Sequence, residues 1–171
     1  MRREVAGGYE VDDDRGRVDI DMVHRYLSEE AYWVPGRDRA TIERLVHEST
    51  RVIGAFRGDE QVGFARVMSD GTSMAWLGDV FVLVEHRGQG LGEELVREAV
   101  EHPDHRDLYW YLNTRDAHGL YAKFGFEAPG EGTMVRPKRL INREGDLPVG
   151  RRPEARGKGP RPPRPNRGVR R

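Results

Sequence analysis

The sequence predicts an α+β domain, and three observations carry that prediction. Stretches rich in β-branched and aromatic residues alternate with stretches whose apolar residues recur three and four apart. Clusters of Gly, Asp, Ser and Pro punctuate them as turns. At one point a strand runs through a glycine-rich turn straight into a helix. There Val80-Phe81-Val82-Leu83-Val84 gives way to Arg87-Gly88-Gln89-Gly90-Leu91-Gly92, and then to Leu91, Leu95 and Ala99 spaced four apart.

The elements follow in order. Residues 1–8 read as a flexible start. Tyr9 to Ile20 reads as a weak strand or hairpin turning at Asp12–Gly16. Asp21 can cap a helix that carries Met22, Val23, Tyr26 and Leu27 on one face. Tyr32-Trp33-Val34-Pro35-Gly36 interrupts, and a second helix follows with Ile42, Leu45 and Val46 as its stripe. Strands are expected over Ser49–Phe56 and Val62–Met68, joined at Arg57–Glu60, and over Met74–Val84. The Gly90–Val100 helix stops before Pro103. Leu108–Leu112 then has the composition of a buried strand. A short helix at 117–123 and closing strands at Phe126-Glu127 and Thr133–Arg136 complete the order β-α-α-β-β-β-α-β-α-β.

With 171 residues, 36% hydrophobic and 34% charged, the chain suits one core. No apolar run approaches the roughly 18 residues needed to span a membrane, and residues 1–20 show no secretory pattern. There is no cysteine, which removes disulfides, thiolate zinc sites and a Cys nucleophile and fits a cytoplasmic location. Lys and Arg balance Asp and Glu at 29 each, but unevenly along the chain. From Leu147 on, nine basic residues face the single acid Glu154, so 147–171 carries +8 and 1–146 carries −8. The tail holds Gly, Pro and Arg without apolar periodicity, so 147–171 is expected to be disordered and 9–146 to be the folded domain.

The strand–turn–helix passage implies chemistry. A helix start leaves backbone N–H groups unpaired, with the positive end of its dipole facing the same way. Glycines at 88, 90 and 92 let a ligand approach that backbone, so the passage suits a phosphate or pyrophosphate. A P-loop would need Lys-Ser or Lys-Thr after the last glycine, where Glu93-Glu94 stand; a dinucleotide fingerprint fails because Glu93 takes its third glycine position. Arg87-x-x-Gly90-x-Gly92 instead resembles the acyl-coenzyme A pyrophosphate motif of the GNAT N-acetyltransferase superfamily. A second segment, Leu120-Tyr121-Ala122-Lys123-Phe124-Gly125-Phe126, is similar to that family's L-Y-x-x-x-G-F signature.

The resemblance covers about residues 9–138 and implies a GNAT fold, an α/β/α sandwich whose mixed central sheet splays around acetyl-CoA. It implies direct acetyl transfer to an amine acceptor, a small molecule or a protein, without metal or covalent intermediate. Cofactor contacts would come from Arg87, Gly88, Gln89, Gly90, Leu91 and Gly92, with the backbone of Phe81 and Val82 pairing to the pantetheine arm as an added strand. Tyr121 would protonate the leaving thiolate. The family's Asn seven residues before this tyrosine is replaced by Thr114, with Asn113 adjacent. Asp79, in the central strand where it should splay, is the first candidate for the base; Glu30 and His24 come next, and His86 and His118 flank the cofactor motifs. Tyr26, Tyr32, Trp33 and Glu30 lie in the segment that forms the acceptor wall in the family, where aromatics could stack on a substrate or attract a cation. The acidic body would steer a cationic amine.

Two other readings remain open on sequence: a non-catalytic acyl-CoA-binding regulatory module, and a nucleic-acid-associated protein whose Arg-rich tail binds phosphates. A serine hydrolase is not indicated, since Ser28, Ser49, Ser69 and Ser73 lack the G-x-S-x-G frame. The sequence leaves monomer and homodimer open.

Overall fold

Six strands line up in chain order to form one sheet in a computed structural model that describes residues 1–135. The expected tail, 147–171, and the end of the expected 9–146 domain lie outside the described residues. Met1–Gly130 forms one compact unit, and residues from Glu131 on fall outside it. Of these, residues 131–135 are described and form neither helix nor strand. No helix of the described residues is long and apolar enough to cross a membrane.

The start of the chain is not loose. Arg2–Val5 forms strand β1 and pairs antiparallel with β2 (Tyr9–Asp12) through a tight turn, in which Gly7 and Gly8 take positive φ of 79° and 75°. Arg2–Val5 has no apolar alternation; its ladder with β2, Val5 against the core and charge pairs hold it. Arg2 meets Glu10 at 2.6 Å, and Arg3 meets Glu94 at 2.7 Å. The expected turn at Asp12–Gly16 is a short 3-10 segment at Arg15–Arg17, capped by Asp14.

Helix α1 (Ile20–Arg25) begins two residues earlier than expected. Asp19, in extended backbone, accepts the Met22 N–H at 2.9 Å, while Asp21 lies inside the helix and pairs with Arg39. A π-helical turn, Tyr26–Glu30, continues it, and α2 (Arg39–Glu48) follows. Their apolar faces bury Met22, Val23, Leu27, Ile42 and Val46 against Phe64 and Phe81 on one side of the sheet. Helix α3 (Leu91–Val100) covers the other side with Leu91, Leu95, Val96 and Ala99, all 1% exposed or less. The result is the expected α/β/α sandwich; truncating Leu95 to Ala in such a core costs about 2–5 kcal/mol.

Three further strands position the site. β3 (Arg51–Arg57), β4 (Glu60–Ser69) and β5 (Met74–Val82) form an antiparallel meander. β6 (Tyr109–Tyr111) joins β5 in parallel, so the sheet is mixed, but pairs only with Met74–Trp76. From Leu77 to Val82 the same edge of β5 has no strand partner among the described residues. β5 also bulges: Arg66 faces Gly78 and Phe64 faces Phe81, so Asp79 and Val80 oppose Ala65 alone. Asp79 takes the left-handed backbone this requires, φ 51°, which Asp tolerates better than most residues.

Two expectations on this side are corrected. Leu108–Leu112 is not a fully buried strand: its β6 portion is a short edge strand that pairs only at three positions, with Tyr109 68% exposed while Leu108, Trp110 and Leu112 are partly buried against the core. Residues 126–127 and 133–135 are irregular rather than closing strands; Arg136 lies outside the described residues. Helix α4 (His118–Ala122) forms as expected, with Thr114 Oγ1 accepting the Ala117 N–H ahead of it.

Candidate functional site

Two cavities lie on either side of α4, and the unpaired edge of β5 runs between them. The first, about 260 Å³, is lined by Val82, by His86–Gly88, by Gly90–Glu93 and by Leu120, while Gln89, expected among the cofactor contacts, is not part of its wall. The second, about 310 Å³, is lined by Leu77–Val80 of β5, by Tyr32, Trp33, Arg37, Arg66 and Trp76, and by Tyr121. Adjacent residues of one short helix thus face different cavities, Leu120 the first and Tyr121 the second.

The first cavity is made of backbone. Gly88 and Gly90 hold positive φ of 76° and 79°, and a Cβ on either would meet nothing within 4 Å. The protein's packing does not demand these glycines; the backbone conformation does, and the space a side chain would fill is the cleft. Gly90 is the N-cap of α3, with no side-chain cap. From Gly88 to Gly92 no backbone N–H has an acceptor among the described residues. Successive unpaired amides at a helix start form an anion cradle.

Arg87 is not loosely solvated: its Nε donates to the Val82 carbonyl (3.0 Å) and its Nη2 to the Tyr26 hydroxyl (3.0 Å), tying the loop to β5 and to the helical layer. The two acids beside the cradle are offset by cations. Glu93 pairs with Lys123, and Glu94 with Arg3 and Arg97.

Side chains from distant parts of the chain make the second cavity. Asp79, 8% exposed, is fully engaged. Its Oδ2 accepts from Arg66 Nε (2.6 Å) and Arg37 Nη1 (3.3 Å), its Oδ1 from the Trp33 indole (3.0 Å). Tyr121 is 9% exposed, and its hydroxyl has no hydrogen-bond partner among the described residues. Burial pushes this phenol up to about 12, with Tyr32 and Asp116 adding to the effect. Tyr32 and Trp33 meet edge to face at 4.9 Å. Asp116, at the rim, accepts from the Tyr32 hydroxyl (3.4 Å) and pairs with Arg115 (3.5 Å).

Of the residues expected at the acceptor wall, Tyr32 and Trp33 line the second cavity and two do not. Tyr26 is core, 6% exposed, its ring stacked on Phe81 at 3.8 Å beneath the loop. It sits on the first turn of the π segment, whose inward face is packed against the sheet. Glu30 is exposed at the end of that segment and borders neither cavity. His24 is bound to the Arg37 carbonyl (3.1 Å) and His86 to the Tyr9 hydroxyl (3.0 Å); His118 is exposed at the start of α4. The Phe81 side chain belongs to the core, while Val82 lines the first cavity.

Sequence reasoning missed Arg37, Arg66 and Trp76. Arg66 had a local signal, a lone cation inside the apolar run Val62-Gly63-Phe64-Ala65-Arg66-Val67. Arg37 and Trp76 had none.

A sheet that opens along one strand, with an anion cradle at one end of the gap and a buried phenol at the other, is the frame of an acyltransferase. The comparisons with known proteins agree. The acetyltransferase (GNAT) domain model matches residues 48–128. A GNAT-family protein of Xanthomonas campestris pv. campestris is 41% identical, with a TM-score of 0.72 over 76% of this chain and 93% of that one. The curated Gibberella zeae protein FG08082, which carries an acetyltransferase name, is 27% identical over 68% of this chain and 77% of its own length. A solved structure from Deinococcus radiodurans R1 shares the fold, at 20% identity and a TM-score of 0.61 over 80% of this chain and 94% of that one. The chain belongs to the GNAT acetyltransferase family.

Proposed function

We propose that the protein is an N-acetyltransferase that passes an acetyl group from acetyl-CoA directly to an amine. The observation that carries this is the continuity of the site: the open edge of β5 from Leu77 to Val82 leads from the amide cradle to the Tyr121 cavity. The cradle fits a pyrophosphate, because the Gly88–Gly92 amides are unpaired and the positions a Cβ would occupy at Gly88 and Gly90 are open. The β5 edge fits an amide-bearing arm laid alongside it as an extra strand.

When bound, acetyl-CoA supplies the activated thioester: a C–N bond forms to the acceptor as the C–S bond breaks. The rest is the chain's own work. Arg87 fixes the cradle relative to β5 through the Val82 carbonyl. Tyr121, held protonated by burial, offers its hydroxyl hydrogen to the sulfur as negative charge develops there. The amine gives up its protons to water in the open cavity as the C–N bond forms, and Tyr121 is reprotonated from the same water. We assign Asp79 to organisation rather than deprotonation. Three donors already occupy its oxygens, and their positions commit it to holding Trp33, Arg37 and Arg66 together. Asp116, exposed at the rim of the same cavity, is the carboxylate that an incoming ammonium can reach.

The test is release of free thiol from acetyl-CoA by the purified protein against a panel of amines. Amine-dependent release is expected. If acetyl-CoA binds and no amine accelerates thiol release, the chain is a coenzyme-binding module and the reading fails.

A further inference from the structure

The charges around Asp79 do not balance, while the other carboxylate of this cavity, Asp116, lies at the rim and pairs with Arg115. Two guanidiniums, Arg37 and Arg66, share the single carboxylate of Asp79, both on the same oxygen. Arg66 is consumed by its position: its side chain is 9% exposed, its Nε is on Asp79, and its Nη1 is on Met68 Sδ at 3.0 Å. Arg37 is different. Its side chain makes one contact, Nη1 to Asp79 at 3.3 Å, and is 28% exposed toward the cavity. The rest of its fork has no acceptor among the described residues. Its backbone is nonetheless fixed, because its carbonyl accepts from His24 Nε2 (3.1 Å) and Ser28 Oγ (2.6 Å).

We propose that Arg37 is a carboxylate-binding residue of the acceptor subsite, and that the acceptor is a small amino-carboxylate with an apolar or aromatic body. This rests on the acetyl-transfer reading of the same cavity. A planar guanidinium on a fixed backbone, with donors unspent and a second cation behind it, matches a carboxylate in charge and geometry. At about 310 Å³ the cavity is at the small end for ligand sites. Tyr32, Trp33 and Trp76 supply flat apolar walls for the rest of the molecule. The Tyr121 hydroxyl borders the same space, so one cavity holds the anion anchor and the reacting end. This reverses the expectation from net charge. The acidic body would gather simple cations, but the cavity itself selects for an acceptor that also carries a negative group.

The experiment compares each of a set of free L-amino acids, phenylalanine among them, with its own amide and decarboxylated amine. Thiol release from acetyl-CoA is followed with wild type, Arg37→Gln and Arg37→Lys. The amide has the less basic amine, which favours it as a nucleophile, so a preference for the acid must come from the protein. At least a tenfold higher kcat/KM for the preferred acid over its amide is expected. Arg37→Gln should erase that ratio, and Arg37→Lys, which keeps charge without the fork, should leave part of it. Amides or decarboxylated amines turned over as well as the acids would overturn the subsite while leaving acetyl transfer standing. Calorimetric titration of the same amino acids in the presence of CoA needs no turnover. Arg37-dependent binding there, without thiol release from any amine, would keep the subsite and sink the transfer reading.

Discussion

The two cavities on either side of α4 are built from different materials. The cradle at Arg87–Gly92 is contiguous backbone, set by two left-handed glycines and a helix start. The second cavity is assembled from side chains on the segment after α1, on β4, β5 and α4, and in the Asn113–Asp116 stretch. A backbone site offers the same donors whatever side chains surround it, so it can serve a coenzyme common to many enzymes. A side-chain site changes with every substitution, so under the proposed function it is where an acceptor would be chosen. Removing a group from the first should weaken coenzyme binding alone. Removing one from the second should alter the acceptor, the chemistry or the local packing.

The sharpest break of that division is Tyr121→Phe. It deletes one buried hydroxyl and should lower kcat about 10²–10⁴-fold, the usual contribution of a general acid, with KM for acetyl-CoA changed less than about threefold. Steady-state kinetics on both substrates checks it, and unchanged turnover would remove Tyr121 from the mechanism. Next is Asp79→Asn, which leaves Arg66 and Arg37 without their anion. Breaking a buried ion pair of this kind costs about 3–5 kcal/mol, read as a fall in denaturant midpoint. Because Asp79 is assigned no proton transfer, the acidic limb of kcat/KM should stay where it is; a displaced limb would restore Asp79 as the base.

Gly90→Ala probes the other cavity. A Cβ at φ 79° costs about 1–2 kcal/mol in conformation, and it projects into the cleft. The Kd for acetyl-CoA should rise about tenfold, while relative rates across the amine panel remain as in wild type. A changed acceptor preference would show that the two cavities are not separable.

The smallest effect expected is one of pH. An ordinary phenol is half ionised near pH 10. Tyr121 acts in its protonated form and loses it only as pH rises through a value pushed up to about 12. From pH 8 to 10 kcat should therefore hold steady; a descending limb near 9 would mean that another group supplies the proton.

How much of this was legible depended on distance along the chain. The cradle was readable because its cause is local: glycine tolerates positive φ, and a helix start leaves amides free. Tyr121 was readable from a short motif. β1 was missed because Arg2–Val5 carries no apolar alternation; it is held by its ladder with β2, by Val5 against the core, and by charge pairs to Glu10 and to Glu94, the latter 91 residues from Arg3. Tyr26 and Tyr32 looked equivalent in sequence, yet one π-helical segment separates a ring stacked on Phe81 from one facing the cavity. Asp79 lies where β5 loses its strand partner. Its job was not visible, because Arg37, Arg66 and Trp33 reach it from three different elements.

By itself, then, the sequence determined the sandwich, the order of its main elements, the amide cradle and the phenol, since each follows from residue spacing or from the allowed backbone of neighbouring residues. Only the tertiary structure decided that β5 stays open beyond Trp76, that Asp79 is bound on both oxygens, and that Arg37 retains unspent donors inside the cavity. Those are facts about which distant groups meet, and pairing of that kind is fixed by packing across the sheet rather than by any local run of residues.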